Sequence, residues 1–192
     1  MVEFYLIKDI FTRKQRREII KKVQPFLIDG AKYAEIIRKT EPNYGSGYSE
    51  GFVWNKKTHT TLLYNPKFHE EHLIFRKRIN ENAKLNLELT RSWINLTTGR
   101  KKRLVWHNHI PSHYSGVYYL KSLPFRDGTL FKDHGFIKSP ENSLLLFPSY
   151  LMHCTPASRL RLPRYSWAMD FVSSISESIV TYIPSLDSNK YL

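Results

Sequence analysis

The sequence predicts a mainly β chain with flanking helices, an α+β arrangement in which short strands close into a sandwich or barrel. Three observations carry this. The first is a change of period. Ile19, Ile20 and Val23, then Phe68, Ile74, Phe75 and Ile79, recur at helical spacing, whereas Leu85, Leu87 and Leu89 recur at every second residue. The second is a run of short apolar segments, separated by turn residues, through the second half of the chain. The third is an aromatic content of 14%, mostly Tyr and Phe, which favour strands.

Taken in order, Val2–Ile10 reads as a short strand or extended entry. Thr12 is the expected N-cap of a helix over Arg13–Gln24, with Pro25 and Gly30 beyond its end. Glu41–Gly51 holds Pro42, Gly45 and Gly47 and reads as a loop, in a position to serve as a lid. Asn65-Pro66 starts a second helix that runs to Ala83, with His69 and His72 assigned to its surface. Strands follow at Leu85–Thr97, Arg103–His109, Ser115–Lys121, Thr129–Lys132, Ser143–Phe147, Arg164–Val172 and Ile179–Ile183. Turn signals such as Ile110-Pro111, Asp127-Gly128 and Ser139-Pro140-Glu141-Asn142 separate them. The tail Pro184–Leu192 is polar. The chain of 192 residues is read as one domain: a helical part over 1–84 that packs on a barrel core over 85–184.

Composition narrows the function classes. Hydrophobic residues at 41% and charged residues at 24% are ordinary for a packed core. The net charge of +13, from 30 Lys and Arg against 17 Asp and Glu, points to an acidic partner, either nucleic acid or an anionic cosubstrate. No groove-reading motif accompanies the charge. A single cysteine, Cys154, excludes a disulfide framework and reads as a reducing, cytoplasmic setting. Glu3, Lys8 and Asp9 interrupt any signal-peptide pattern, and apolar runs such as Leu144–Phe147 are too short to cross a bilayer.

Four clusters carry candidate chemistry. In Trp106-His107-Asn108-His109, a strand would point both histidines to one face, where two imidazoles can share a metal ion. Such a pair also occurs without any ligand. His153 follows the apolar run and Pro turn of Leu146–Ser149; its bland reading is a half-buried, hydrogen-bonded histidine. In Arg164-Tyr165-Ser166, Arg164 and Ser166 share one face and suit a carboxylate, while Tyr165, Trp167, Met169 and Phe171 share the other and read as core. The alternative for Arg164 is a rim ion pair, for instance with Asp170. In Ser115–Leu120, Val117 and Tyr119 face one way, Tyr118 and Leu120 the other; one tyrosine is core and the other is able to present its hydroxyl to a ligand. Cys154 reads as packing.

Together, His-x-His, Ser115-Gly116-Val117-Tyr118-Tyr119-Leu120, Gly128-Thr129-Leu130-Phe131, the Phe147-Pro148-Ser149 turn with His153, and Arg164-x-Ser166 resemble the iron(II)- and 2-oxoglutarate-dependent oxygenase superfamily. The likeness is to its prolyl-4-hydroxylase-like branch and to small oxygenase-like proteins of marine cyanobacterial phages, over Arg91–Val172. The resemblance implies a double-stranded β-helix, that is, a jelly-roll or cupin-like barrel. It implies Fe(II), 2-oxoglutarate as cosubstrate and O2, with His107 and His153 as metal ligands. Arg164 would grip the distal carboxylate of 2-oxoglutarate, helped by Ser166 and Tyr119. His107, His153 and Arg164 would then be the catalytic set. It further implies a hydroxylase-like dioxygenase in the cytoplasm of a virus-infected bacterial host, acting on a protein side chain, a nucleobase or a metabolite.

One position departs from the superfamily. Its usual first site is His-x-Asp or His-x-Glu, giving two histidines and a carboxylate. Here the third position is His109. Either three imidazoles hold the ion, or a carboxylate such as Asp133 or Asp127 completes the shell. Two other readings compete: a cupin-like three-histidine metalloenzyme that does not use 2-oxoglutarate, and a non-catalytic basic binding module on the same barrel.

The charge generates a first prediction. Binding to duplex DNA is expected to be weak and independent of sequence. Because each neutralised phosphate releases a counterion, affinity should fall roughly a thousandfold between about 50 and 200 mM salt if about six phosphates are contacted. Sequence discrimination that survives high salt in a fluorescence-anisotropy titration would contradict this.

Overall fold

The computed structural model describes residues 2–24, 27–29, 51–53, 62–97, 106–122, 127–156 and 162–174. The expected lid over Glu41–Gly51 lies outside these residues apart from Gly51, as do Arg103–Val105, the Ile179–Ile183 strand and the tail. The described remainder of the expected Arg103–His109 strand, Trp106–His109, makes an isolated bridge at His107 and not a strand.

The chain forms a double-stranded β-helix of two facing antiparallel sheets. Strands β1 (Tyr5–Lys8), β2 (Leu27–Asp29), β3 (Gly51–Val53), β4 (Leu87–Thr97), β5 (Tyr114–Lys121), β8 (Ser143–Pro148) and β10 (Arg164–Ser173) make the larger sheet, in the order β1-β8-β5-β10-β4-β3-β2. Strands β6 (Gly128–Phe131), β7 (Gly135–Lys138) and β9 (His153–Cys154) make the smaller one, in the order β7-β6-β9. Helices α1 (Arg13–Val23) and α2 (His69–Ala83) complete the described elements, with two short 3-10 turns, Leu62–Tyr64 and Pro66–Phe68, leading into α2.

The first helix begins where the sequence places it, whereas Asn65-Pro66 opens a 3-10 turn and the second α-helix starts only at His69. Thr12 caps α1 through a capping box: its Oγ1 accepts from Gln15 N at 3.2 Å, and Gln15 Oε1 accepts from Thr12 N at 2.9 Å. Asn65 caps the turn before α2, and Lys84 ends α2 in a left-handed conformation at φ 56°. Strands β7 and β9 escape the sequence reading because four and two residues are too few for a period to show.

Alternation along the strands divides the interior in two. Tyr165, Trp167, Met169 and Phe171 of β10 join Tyr118, Leu120, Leu144 and Leu146 in a core packed against Ile19, Val23, Phe68, Phe75 and Ile79. Its rings meet edge to face: Phe75 lies 5.2 Å from both Trp167 and Tyr118. Burying side chains of this size stabilises by about 1.5–3 kcal/mol each. The opposite strand faces build a second, smaller core between the sheets, from Tyr119, Phe131, Leu145, Phe147 and Leu151. This second space contains the candidate site. No helix among the described residues is long and apolar enough to cross a membrane.

One expectation fails here. His69 is exposed as expected, but His72 is buried. Phe68, His72, Phe75 and Ile79 follow one another at i+4, i+7 and i+11, so His72 lies on the apolar stripe despite its polarity. Its Nε2 lies 2.9 Å from Ser92 Oγ, which also accepts the Trp167 indole N–H at 2.6 Å. Burial, with a smaller effect from His69, pushes the His72 pKa down to about 4.

A histidine with a lowered folded pKa contributes stability that is complete above its unfolded pKa and is lost as pH falls through the folded one. His72 should therefore remove about 3 kcal/mol between about pH 6.5 and 4, roughly 1.4 kcal/mol per pH unit. Urea unfolding should show a shallower acid slope for His72→Leu than for the parent chain in that window; identical slopes would refute the assignment.

Candidate metal and carboxylate site

Three segments bring the histidines together. His107 and His153 pair through their backbones in both directions, N–H to O at 3.1 and 2.9 Å. His109 N donates to Ser149 O at 2.9 Å, which fixes the next step of the same segment. On its other side, His153 pairs with Phe131 of β6, and its ring packs edge to face on Phe147 at 4.7 Å. One ligand atom from each of His107, His109 and His153 lies within 4.8 Å of the others. Among the described residues this is the one group of three metal-ligating side chains so arranged.

The nitrogen assignments follow from hydrogen bonding. His153 Nδ1 lies 2.8 Å from the Leu151 carbonyl, which only accepts, so Nδ1 carries the proton and Nε2 keeps its lone pair. His109 Nδ1 lies 2.8 Å from Asp170 Oδ1, and its Nε2 is buried with no hydrogen-bond partner. Burial, followed by the proximity of His107 and then His109, pushes the His153 pKa down to about 3. A neutral imidazole with an unprotonated nitrogen is the form a metal ion takes. An orphaned buried nitrogen beside two further imidazoles is a donor set that fits Fe(II), Zn(II) or another imidazole-binding ion.

The second half of the site is an anion pocket on the same inner faces. Ser166 of β10 lies opposite Tyr119 of β5 and Asn95 of β4. Arg164 is buried. Its Nε donates to both carboxylate oxygens of Asp127, at 2.8 and 3.0 Å, and its Nη1 donates to Ser166 Oγ at 3.0 Å. The guanidinium carbon sits 5.3 Å from the Tyr119 ring centroid, and the Tyr119 hydroxyl lies 2.6 Å from Thr129 Oγ1. Burial raises the Tyr119 pKa to about 12, against an opposing effect from Arg164, so its hydroxyl stays protonated and able to donate. Between this pocket and Asp170, the inward position of β10 is the small Ala168.

The three histidines, and separately Arg164, Ser166 and Tyr119, are thus brought into two clusters. Two sequence-level alternatives end differently. Asp127 lies against Arg164 and not in the histidine cluster, and Asp133 is exposed in the β6–β7 turn. Asp170 pairs with His109 and Arg91, not with Arg164. Sequence reading missed Asp127 as the orienting partner of Arg164, although its Asp-Gly turn was visible. Gly128 is required there, since a Cβ would meet the Ile137 carbonyl oxygen at 2.2 Å. Thr129 was also missed, though it shares the inward parity of Phe131.

No protein family and no curated protein matches the chain by sequence. Solved structures match its fold. The α-ketoglutarate-dependent epimerase SnoN from nogalamycin biosynthesis superposes with a TM-score of 0.61 at 10% identity, covering 88% of this chain and 78% of that one. HygX from Streptomyces hygroscopicus, solved with nickel and 2-oxoglutarate bound, gives 0.58 at 10% identity, covering 91% and 84%. A prolyl-4-hydroxylase from Pseudomonas putida gives 0.53 at 15% identity, covering 91% and 95%.

Removing the Asp127 carboxylate should leave the buried Arg164 guanidinium unpaired. Asp127→Ala is expected to lose about 3–5 kcal/mol of stability in urea unfolding. A loss below about 1 kcal/mol, the range of exposed pairs, would show that Arg164 does not depend on it.

Proposed function

We propose that this chain is an oxygenase that holds Fe(II) on His107, His109 and His153 and takes 2-oxoglutarate as cosubstrate, with O2 as the oxidant. The observation that supports it best is the pairing of two clusters on one interior surface: three imidazoles within 4.8 Å, and a buried guanidinium flanked by Ser166 and Tyr119. The fold neighbours, among them an epimerase described as α-ketoglutarate dependent and HygX with nickel and 2-oxoglutarate bound, are consistent with this.

Bound there, Fe(II) with 2-oxoglutarate and O2 supplies oxidation of a substrate C–H bond, coupled to decarboxylation of the keto acid to succinate. The protein's own residues do the rest. His153 and His109 present Nε2 because their Nδ1 protons are committed elsewhere. Asp127 occupies the Nε edge of Arg164, so the Nη groups are the ones directed to a carboxylate, with Ser166 and the neutral Tyr119 hydroxyl as further donors. Ala168 leaves space on the strand between the two clusters. Hydroxylation is the expected outcome, on a protein side chain, a nucleobase or a metabolite.

A three-histidine metalloenzyme without 2-oxoglutarate has the same first cluster in its favour, but it has no use for the Arg164–Ser166 pocket.

The test is anaerobic titration of the protein with Fe(II) and then 2-oxoglutarate, followed by succinate formation in air. A visible charge-transfer band and slow, iron-dependent succinate release are expected even with no primary substrate. Arg164→Ala should keep the metal and weaken 2-oxoglutarate binding by one to two decades, the equivalent of about 1.5–3 kcal/mol for a charge-assisted contact. His107→Ala and His153→Ala should lose the metal. Absence of both the band and succinate from iron-loaded protein would refute the reading.

A further inference from the structure

Asp170 is a fully buried carboxylate on the central strand, 0% exposed, and stands outside both the histidine cluster and the Arg164 pocket. Its surroundings are polar on every side the sheet offers. Ser115 Oγ of β5 donates to Oδ1 at 2.9 Å and lies 2.9 Å from Ser149 Oγ. Arg91 of β4, itself half-exposed, places Nη2 2.8 Å from Oδ2. Thr90 Oγ1 donates to the Asp170 backbone carbonyl at 3.0 Å. The remaining contact is His109 Nδ1, 2.8 Å from Oδ1.

His109 is held more tightly than a half-buried histidine requires. The Trp93 indole stacks on it at 5.4 Å, with only 8° between the ring planes, and the His153 ring lies 5.1 Å away. One ring nitrogen is committed to Asp170. The other, Nε2, is buried, has no hydrogen-bond partner and belongs to the three-histidine cluster.

We infer that Asp170 is a positioning residue for the metal site, acting through His109. The inference rests on the metal-binding reading of the three histidines. A carboxylate behind an imidazole fixes the tautomer with the proton on Nδ1, aims the Nε2 lone pair at the ion and raises the basicity of the ligand. It also places a carboxylate one ring away from a cluster that otherwise supplies only imidazoles. Arg91 and Ser115 hold that carboxylate in place. Trp93 fixes the plane of the ring.

A role through His109 is separable from a purely structural one by a double-mutant cycle on Co(II) binding, with the metal as the probe and the full chain as the protein. Asp170→Asn is expected to weaken Co(II) binding by about 10–100-fold. His109→Ala should weaken it at least as much. Adding Asp170→Asn to His109→Ala should then produce no further loss. If Asp170→Asn binds Co(II) as the parent does, or if its loss persists undiminished in the His109→Ala background, Asp170 does not act through His109. If the parent chain itself binds no Co(II), the metal reading falls and the inference falls with it. A second measurement does not depend on any variant folding. In metal-free protein, the ring 15N shifts of His109 should report the proton on Nδ1, and a proton found on Nε2 would overturn the inference.

Discussion

The organisation of the molecule depends on β10 having two chemically opposite faces. As the central strand between β5 and β4, it is paired along its full length and cannot twist one face away from the other. Tyr165, Trp167, Met169 and Phe171 are pinned against the helices by apolar burial. That commitment forces Arg164, Ser166, Ala168 and Asp170 into the space between the sheets, because successive strand side chains point to opposite sides. A one-residue slip would bury two charges in the aromatic core and is excluded on energetic grounds. The apolar core therefore sets the register that places the polar site.

Two buried charges then need partners, and their partners define the two clusters. Arg164 finds Asp127; Asp170 finds Arg91, Ser115 and His109. Buried ion pairs are weak contributors to net stability, since desolvation offsets much of the attraction, whereas breaking one is costly. Their presence on an interior face is better explained by what they orient. Asp127 turns the guanidinium so that its Nη edge faces Ser166, and Asp170 turns the His109 ring so that its unpartnered nitrogen faces the other histidines.

The remaining histidine cluster depends on chain crossings rather than on one strand. His107 and His153 are neighbours only because their segments exchange two backbone hydrogen bonds, and His153 is anchored on its other side by β6. Phe131, Phe147 and Leu151 exclude water from behind the cluster, which is why His153 is held neutral. The same burial argument applies to His72, on the far side of the sheet, yet there it yields a structural hydrogen bond to Ser92 in an aromatic core. A lowered histidine pKa alone does not distinguish the two settings; the neighbours do.

Much was legible in the residues themselves. Period-2 alternation assigned Arg164 and Ser166 to one face and Trp167 to the other, and likewise separated Tyr119 from Tyr118, because parity along a strand is a local property. The helix start at Thr12 and the turn start at Asn65 were legible for the same reason: capping is local chemistry. His72 was misplaced because residue polarity was weighted above its position on the stripe. The two-residue strand β9 and the partners of Arg164 and Asp170 were beyond reach. Asp127 and Arg164 are 37 residues apart, and the partners of Asp170 come from three separate segments. Which face a residue occupies is written in its immediate neighbours. Which residue it meets there depends on strand order, register and the bulges of β10, and those are settled only when the whole apolar core packs.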